Sequence, residues 1–366
     1  MQWDLVLIFF IFVKPYELNG EIGAATPMNK LRRNLILIKE DCGDVCDTSD
    51  KFSKVAGIYF DQIVKNIQCE YLFESPQIEN STDVSEQQLK NKPPLLSNLP
   101  KEIQQQYTFD GRIPILHNYI NDIDYLQKAE KKAQMKIIRD KLWERKSIEI
   151  DQKLFRNNKL FGAYGTEVVL DMTKLIKEYM IEQVQNGHVL VIGSQSPWIE
   201  TILIELGAAK ITTLEYDVIR TDHPKIETMT PEDLRQAFLK GKAPTFDAMV
   251  TFSSLEHSGL GRYGDSLNPW GDLITMAKAW CLTKPKGRAL VGVPSGLDVI
   301  LFNSNRNYGP IMSSHLFANW NVIYSQYLEI NEKSIVTDFC KGEKSNLFYC
   351  FQPLTVIEKP MMIVET

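Results

Sequence analysis

Between residues 159 and 293 the chain alternates between two regular patterns of apolar and polar positions. Stretches with apolar residues three or four positions apart predict helices at residues 166–185, 198–206, 231–240 and 270–282. Short apolar runs rich in β-branched residues predict buried strands at residues 188–193, 210–215, 246–252 and 288–293. Because strands that alternate with helices need crossover connections, the pattern predicts a doubly wound, mostly parallel, Rossmann-like α/β sheet.

The first helix and the last two strands complete this predicted sheet. The helix at residues 166–185 has a candidate apolar face formed by Val169, Leu170, Leu175, Ile176 and Ile181. After residue 308 the alternation loosens, and residues 321–330 and 346–352 are the remaining strand candidates. We expect these two strands to be antiparallel neighbours at the edge of the sheet.

The residues that precede this region are less regular. Residues 75–100 are rich in Ser, Asn, Gln and Pro, which predicts a linker. Residues 121–155 are densely charged and predict an amphipathic helix, whose apolar positions are Leu126, Ala129, Ala133, Ile137, Ile138 and Leu142. We therefore divide the chain into an apolar N-terminal segment at 1–25, a mixed N-terminal extension at 26–150 and an α/β domain at 151–366.

The N-terminal segment contains an unbroken apolar run from Leu5 to Val13. The run is shorter than the roughly 20 residues that span a bilayer, but it fits the core of a secretory signal, which takes about 7–15 residues. Asp4 stands where such a signal has a basic residue, so an apolar element docked on the fold is an equal alternative to a signal or short anchor. Localisation stays open between the secretory pathway and the cytoplasm, with membrane contact only through this segment if it is uncleaved.

The six cysteines are an even number but too sparse for a disulfide scaffold. Cys42 and Cys46 form a C-x3-C pair, and no second pair of Cys or His stands at zinc-finger spacing, so we predict no metal site. If the chain enters the secretory pathway, Cys42, Cys46 and Cys69 are the residues expected to supply a disulfide in the N-terminal region.

The charge balance argues against one class of partner. The chain has 41 Lys and Arg against 46 Asp and Glu, for a formal net charge of −5 at pH 7. Proteins that hold nucleic acid by its phosphates usually show a clearly basic domain. The six Trp residues are scattered rather than grouped as stacking platforms. We therefore predict no nucleic-acid partner.

Polar residues follow the predicted strands where they leave the sheet, which is where open α/β sheets bind ligands. Gly193 ends the first strand, and Gly at such a position lets the backbone approach a ligand. Glu215 ends the second strand 22 residues later, and an acidic residue about 20 positions after the Gly turn is suited to grip a ribose diol. The third strand runs into a polar, glycine-rich loop at residues 253–265.

Four segments in this order resemble a class I S-adenosylmethionine-dependent methyltransferase over about residues 150–355: VLVIGSQSPWIE, TLEYD, FDAMVTFSSLEHSG and LTKPKGRALVGVP. GSQSPWIE, LEHSGLGRYGD and FNSNRNYGP also resemble a narrower methyltransferase-like family, the domain of unknown function 268. The resemblance implies S-adenosylmethionine as cofactor, with the candidate binding residues Gly193, Ser194, Gln195, Glu215, Tyr216 and Ser253. Tyr164 and Gly165, which precede the first helix, are further candidates to close over it.

The loop after the first strand departs from the methyltransferase pattern, which has several glycines after an acidic residue. Here only Gly193 is present, and Gln195 and Pro197 occupy the later glycine positions. This departure favours a catalytically degenerate methyltransferase fold that binds or scaffolds. A nicotinamide-dependent enzyme is a weaker alternative, because G-x-G-x-x-G is absent after the first strand.

The loop at residues 253–265 favours catalysis instead. His257 is a candidate general base, since imidazole titrates near neutral pH, and Glu256 and Asp265 are alternative bases or substrate anchors. The candidate substrate-binding residues are Arg262, Tyr263, Asn303, Arg306 and Tyr308. Each has a structural alternative, in which His257 shapes the loop, Arg262 ties Asp265, Arg306 braces a loop and Tyr308 lies at the edge of the core.

Two functional hypotheses follow from these residues. The first is an S-adenosylmethionine-dependent methyl transfer to a small-molecule or glycan-like acceptor. The second is a degenerate methyltransferase fold without turnover, acting as a binding or scaffolding protein. The polar loop supports the first and the missing glycines support the second, so the sequence leaves open whether the protein is an enzyme.

Overall fold

A computed structural model describes residues 27–49, 63–74, 95–117, 141–262, 265–326 and 352–361 of the chain. The predicted signal or anchor at residues 1–25 lies outside the described residues. So do most of the predicted linker and residues 121–140 of the predicted amphipathic helix. Within the described ranges, no helix combines the length and apolar character that a membrane crossing requires.

The described residues form helices joined to strands in regular alternation from residue 166 onward. The helices are α1 (Pro27–Cys42), α2 (Cys69–Glu74), α3 (Lys101–Tyr107), α4 (Arg145–Arg156), α5 (Thr166–Leu175), α6 (Ile181–Val184), α7 (Trp198–Glu205), α8 (Pro231–Leu239), α9 (Gly271–Leu282) and α10 (Pro310–Leu316). The strands are β1 (Ile115–His117), β2 (Lys141–Trp143), β3 (His188–Ile192), β4 (Lys210–Leu214), β5 (Ile219–Thr221), β6 (Ile226–Met229), β7 (Phe246–Phe252), β8 (Thr283–Gly292), β9 (Val299–Phe302), β10 (Asn305–Asn307), β11 (Asn321–Ser325) and β12 (Leu354–Glu358).

The central sheet has seven strands in the order β11-β12-β8-β7-β3-β4-β6. The five strands from β6 to β8 are parallel, whereas β12 runs antiparallel to β8 and β11 runs antiparallel to β12. This confirms the predicted mostly parallel sheet with an antiparallel edge. Strand β3, the first of this sheet along the chain, lies in the middle of the five parallel strands, and the one reversed strand is β12, between β8 and the edge strand β11. The resemblance to class I methyltransferases implied such a doubly wound sheet.

Helices cover both faces of the sheet, which is why its central strands are mostly apolar and largely buried. Successive side chains of β3 point to opposite faces: Leu190 packs with helices α1, α3, α8, α9 and α10, and Val191 packs with α4 to α7. The N-terminal helices therefore share one hydrophobic core with the sheet. A disulfide between Cys69 of α2 and Cys281 of α9 joins the same two regions.

The cysteines of the N-terminal region form disulfides. Cys42 and Cys46 are bonded to each other at the end of α1, and Cys69 is bonded to Cys281, a partner that sequence spacing did not indicate. Within the described ranges, no group of three or more His, Cys, Asp or Glu side chains is arranged to hold a metal ion.

The predicted helix at residues 166–185 forms as α5 and α6 joined by a π-helical turn at Ile176–Met180. Val169 and Ile176 are buried as expected, but Leu170 is 43% exposed, so its assignment to the apolar face is wrong. The buried stripe passes through Val169, Thr173 and Ile176, at helical spacing, and Leu170 lies about 100° away from Val169 around the helix.

Several predicted bounds are also wrong. Leu142 lies in β2, which pairs with β5, rather than in a helix. Strand β8 begins at Thr283 and not at residue 288. The last strand within the described residues is β12, and residues 346–351 of the strand predicted at 346–352 lie outside them. Strand β6 was missed because Glu227 and Thr228 interrupt its apolar pattern. At this edge of the sheet Glu227 accepts a hydrogen bond from Thr212 and pairs with Lys210, so the polar side chain is satisfied.

Candidate functional site

The candidate site lies at the carboxyl ends of β3, β4 and β7. Strand β3 pairs with β4 on one side and with β7 on the other. The chain proceeds from β3 outward to β4 and β6, then returns to β7 on the opposite side, so the strand order reverses between β3 and β7. Ligands of open α/β sheets bind in the crevice at such a switch point. Two segments leave the sheet at this switch point, the β3-exit loop (residues 193–200) and the β7-exit loop (residues 253–262).

Gly193 begins the β3-exit loop in a left-handed conformation with a φ of +73°. A Cβ added at this position would lie 1.8 Å from Ser254 Oγ and 2.3 Å from Ser254 Cβ. The close approach that requires Gly here is therefore made by Ser254 of the β7-exit loop. Gly193 brings the two loops into contact across the switch point.

A buried carboxyl group holds the β3-exit loop in place through hydrogen bonds. Glu200, in the first turn of α7, has Oε1 2.6 Å from the Thr213 hydroxyl and Oε2 3.1 Å from Ser194 Oγ. Ser194 Oγ also donates to the Ser196 carbonyl at 2.8 Å. Burial raises the pKa of Glu200 to about 7. Sequence reasoning gave Glu200 no role, although an acidic residue inside the apolar helix WIETILIE was a usable signal. Gln195, in contrast, is exposed on the loop.

Glu215 and Tyr216 follow β4 on the other side of β3. Glu215 is half-buried, and its Oε1 accepts a hydrogen bond from the Tyr216 backbone N–H at 2.8 Å. The Tyr216 side chain is 42% exposed. Because Gly193 N–H donates to the Leu214 carbonyl, Glu215 is held directly beside the β3-exit loop. A carboxylate and an open aromatic ring thus stand together at this edge.

An aromatic cluster lies next to the β3-exit loop. The ring of Tyr164 lies 5.0 Å from that of Phe252, at the end of β7, and 6.4 Å from that of Trp198 at the start of α7. Gly162 allows this packing, because a Cβ there would lie 2.9 Å from Trp198 Cε3. Tyr164 is therefore where the sequence placed it, beside the strand ends and partly exposed.

The β7-exit loop carries a connected row of polar side chains. Ser253, with the uncommon φ of +51°, donates from Oγ to Glu256 Oε1 at 2.8 Å and accepts from Gln352 Nε2 at 3.1 Å. His257 Nδ1 lies 2.7 Å from the Ser304 carbonyl, and His257 Nε2 lies 3.5 Å from Glu256 Oε1. A carbonyl can only accept, so Nδ1 carries the proton and Nε2 presents a lone pair toward Glu256.

Burial raises the pKa of one ionisable group in this row and lowers the pKa of the other. It raises the pKa of Glu256 to about 7, against the hydrogen bonds of its own backbone and of Ser253. It lowers the pKa of His257 to about 3, with the positive charge of Arg262 adding to the effect. At neutral pH His257 is therefore uncharged, and Glu256 is the group that exchanges a proton.

Two oxygens at this site lack a donor among the described residues. Glu256 Oε2 is buried without a hydrogen-bond partner, and the side chain is only 1% exposed. Gln352 Oε1, next to β12, is likewise buried without one. Both residues are linked to Ser253 through their other polar atom. Buried acceptors without donors are rare in folded proteins and call for an explanation.

The predicted substrate residues after β9 are buried rather than open to the crevice. Arg306 is fully buried and donates to the carbonyls of Ser258 at 2.6 Å and Pro269 at 3.2 Å, while its Nε lies 3.6 Å from Asp272. Tyr308 is buried and its hydroxyl donates to Asp272 at 2.9 Å. The contacts of Arg306 match the alternative in which it braces a loop, and Tyr308 lies in the hydrophobic core. Asn303, also fully buried, begins the turn between β9 and β10.

The other residues of the predicted site hold the β7-exit loop together. Asp265 Oδ2 accepts hydrogen bonds from the backbone N–H groups of Gly259 at 2.8 Å and Gly261 at 3.1 Å. The hydroxyl of the N-terminal residue Tyr107 donates to the Gly259 carbonyl at 2.8 Å, a contribution that no sequence signal indicated. Arg262 is half-buried near Glu256 and His257, and Tyr263 lies outside the described residues.

A comparison with protein-family models finds one match. Residues 186–359, nearly half of the chain, match the family described as "Caenorhabditis protein of unknown function, DUF268". This range contains the segments GSQSPWIE, LEHSGLGRYGD and FNSNRNYGP, so the resemblance that these segments indicated is confirmed there. No curated protein sequence matches the chain.

Solved structures resemble part of the chain at low sequence identity. N-methyltransferase NodS from Bradyrhizobium japonicum WM9 is 9% identical with a TM-score of 0.30, over 52% of this chain and 98% of that one. A protein described as a sarcosine dimethylglycine methyltransferase from Galdieria sulphuraria is 11% identical with a TM-score of 0.34, over 58% and 98%. A protein described as a hemolysin from Streptococcus thermophilus is 12% identical with a TM-score of 0.33, over 52% of this chain and only 66% of its own. The fold assignment rests on this chain's own strand order.

Proposed function

We propose that this protein transfers a methyl group from S-adenosylmethionine to a small-molecule or glycan-like acceptor. The observation that carries the proposal is the pair of carboxyl groups on the two sides of the switch point, Glu215 after β4 and Glu256 after β7. The first is suited to a ribose diol, and the second lies in a polar row suited to an acceptor. The strand order of the sheet supports the same function.

The residues present fit an adenosyl group by the chemistry of their side chains. The half-buried carboxylate of Glu215 is an acceptor for two hydroxyl donors, and the exposed ring of Tyr216 offers a flat apolar face beside it. The orphaned Glu256 Oε2 on the β7 side is an acceptor without a donor, as expected where a ligand completes the site. We therefore assign Glu215, Tyr216 and the β3-exit loop to cofactor binding.

The bound cofactor supplies a methyl group on a positively charged sulfur. The protein positions the reacting groups and excludes water from them. Glu215 and the β3-exit loop, fixed by Glu200, orient one end of the crevice, while Tyr164 and Phe252 narrow it with aromatic surface. Alignment of nucleophile and methyl group accounts for much of the acceleration in such a displacement. The net charge of −5 disfavours a nucleic acid as the acceptor.

A degenerate fold that binds without turnover is the second candidate. It is favoured by Gly193, whose open face is filled by Ser254, and by Gln195 and Pro197 at positions that are glycine in methyltransferases. These features narrow the space over the β3-exit loop. A protein that binds the adenosyl compound without turnover requires only Glu215 and a crevice of suitable shape.

Calorimetric titration of the full chain with S-adenosylmethionine and S-adenosylhomocysteine tests the proposal. We expect saturable binding at micromolar concentrations, and a Glu215→Ala variant should bind at least about tenfold more weakly, because a hydrogen bond to a charged group contributes about 1.5–3 kcal/mol. Glu149→Ala, an exposed carboxylate on α4, is the matched control and should bind like the wild type. A folded protein that binds neither compound at millimolar concentration would refute the proposal.

A further inference from the structure

The described residues leave one oxygen of Glu256 without a donor, and the proposed function does not say which chemical step that oxygen performs. Glu256 Oε1 is held by the Ser253 hydroxyl at 2.8 Å, which fixes the carboxyl group in place. Oε2 is buried without a donor among the described residues. An acceptor oxygen in this state can receive a proton, and a carboxyl group that is already hydrogen-bonded at one oxygen does so without rearranging.

His257 is not free to play that part. Its Nδ1 proton is directed at the Ser304 carbonyl at 2.7 Å, which fixes the ring and its tautomer. The remaining nitrogen, Nε2, faces Glu256 Oε1 at 3.5 Å. The imidazole ring therefore lies beside the Glu256 carboxyl group, and its one available lone pair points toward Glu256.

We propose that Glu256, and not His257, takes the proton of the methyl acceptor, and that the acceptor is therefore an alcohol or an amine. This inference rests on the proposed function. His257 is a positioning residue, because its Nδ1–H donates to the Ser304 carbonyl and so fixes the β7-exit loop against the turn between β9 and β10. Acceptors that carry no proton on the reacting atom would have no use for such a group.

The step balances in atoms and charge. The acceptor's oxygen or nitrogen forms a bond to the methyl carbon, the carbon–sulfur bond breaks, and its electron pair stays on the sulfur as a neutral thioether. The proton of the acceptor passes to Glu256 Oε2, so a carboxylate becomes a carboxylic acid. The positive charge of the sulfonium and the negative charge of Glu256 disappear together.

The charged groups around Glu256 help to determine its pKa, and the pKa determines whether Glu256 can accept a proton. Arg262 from the same loop and Arg306 from β10 act to lower the pKa of Glu256, and burial acts to raise it. The Tyr308 hydroxyl also faces this carboxyl group and stays neutral because burial raises its own pKa. Gln352, before β12, is uncharged. Burial prevails, and the pKa of Glu256 of about 7 suits a group that must accept and release a proton near neutral pH.

A cation placed beside a half-protonated carboxyl group expels its proton, which gives a test without an acceptor. S-adenosylmethionine carries the sulfonium charge and S-adenosylhomocysteine does not. At pH 7 we expect binding of the first to release up to about half a proton from Glu256, whereas the second should release none from it. Proton release is measured by titration calorimetry in two buffers that differ in ionisation enthalpy.

Three isosteric or near-isosteric variants assign the proton. Glu256→Gln should abolish the difference between the two compounds, and His257→Gln should keep it. Asp298→Asn is the matched control, because Asp298 is another partly buried acid whose pKa burial raises, and its hydrogen bonds go to the start of α10, outside both loops. It should keep the difference too. The ammonium group that both compounds carry contributes equally to the proton release in every variant. Circular dichroism verifies that each variant is folded.

The outcomes separate this inference from the proposed function. If neither compound binds, the proposed function fails first. If both bind and the wild type shows no difference in proton release, or if the difference survives in Glu256→Gln and is lost in His257→Gln, then Glu256 is not the proton acceptor and the inference is wrong. An infrared carboxylic acid band that disappears near pH 7 in Glu200→Gln, and is absent from the double variant Glu200→Gln/Glu256→Gln, would support the inference independently.

Discussion

The two loops at the switch point differ in how completely their polar groups are satisfied. In the β3-exit loop, both oxygens of the buried Glu200 have hydroxyl neighbours, and Gly193 is packed against Ser254. In the β7-exit loop, the equally buried Glu256 has one oxygen that receives no hydrogen bond from the part of the chain that the structure describes. A satisfied network makes a rigid support, whereas an incomplete one leaves capacity for a ligand. The comparison assigns shape to the first loop and reactivity to the second.

The largest expected effect concerns the buried cation behind the β7-exit loop. Arg306→Met should lower the free energy of unfolding by about 3–5 kcal/mol, because it leaves Asp272 as a buried carboxyl group without its cation and removes donors from two carbonyls. Urea unfolding measures the loss. Arg145→Met, which removes an exposed ion pair with Glu149, is the control and should change stability by about 0.5 kcal/mol or less. Equal losses in both variants would show that Arg306 is not the brace.

The next effect is a pH dependence caused by the buried acid of the β3-exit loop. The folded pKa of Glu200 is about 7, above its ordinary value of 4.5, so folding takes up a proton between these values. The stability it contributes is fully present below about pH 4.5 and is lost as the pH rises through about 7, by about 3 kcal/mol in total.

Glu200→Gln should therefore flatten the profile between about pH 5 and pH 8. The free energy of unfolding in urea at these two pH values, for wild type and variant, measures the difference. Glu256 contributes a decrease of the same sign in both proteins, so the comparison isolates Glu200. A variant whose stability falls with pH as steeply as the wild type would place the Glu200 carboxyl group in contact with water.

The smallest expected effect concerns the contact between the loops. Gly193→Ala should cost about 2 kcal/mol, since alanine must adopt a φ of +73° and its Cβ would collide with Ser254. Adding Ser254→Gly should recover about half of the loss, because the collision is removed while the strained backbone remains. Thermal or urea unfolding of the single and double variants measures this. A loss that is unchanged by Ser254→Gly would mean that the loops do not touch at Gly193.

Sequence patterns predicted the centre of the fold well and its margins poorly. Strands β3, β4 and β7 are largely buried on both faces, and their residues are mostly apolar or β-branched, so the signal is strong. Edge strand β6 has a polar side turned to solvent and neighbours that satisfy it, so Glu227 concealed it. The short strands β1, β2, β9 and β10 depend on partners far away in sequence, as in the pairing of β1 with β9.

The candidate site shows the same division. Its location follows from sequence, because strands end at Gly193, Glu215 and Ser253 and the carboxyl ends of parallel strands share one edge. The roles within it do not follow. Arg306 and Asp265 are suited by residue type to bind a substrate, yet their hydrogen bonds go to the loop itself. The site assignments of Ser194, Gln195, Asn303 and the remaining residues stay predictions.

By itself the sequence determined the order of the elements, the parallel character of the sheet and the edge at which a ligand would bind, because these depend on local periodicity and on rules of chain connection. Only the tertiary structure decided which buried carboxyl group has hydrogen-bond partners for both oxygens among the described residues and which does not. It also decided that Tyr107 and Cys69 connect the N-terminal region to the α/β domain. The direction of the His257 proton, toward the Ser304 carbonyl, likewise depends on the tertiary structure. Burial and hydrogen-bond partners come from residues distant in the chain, and they set the protonation states on which chemistry depends.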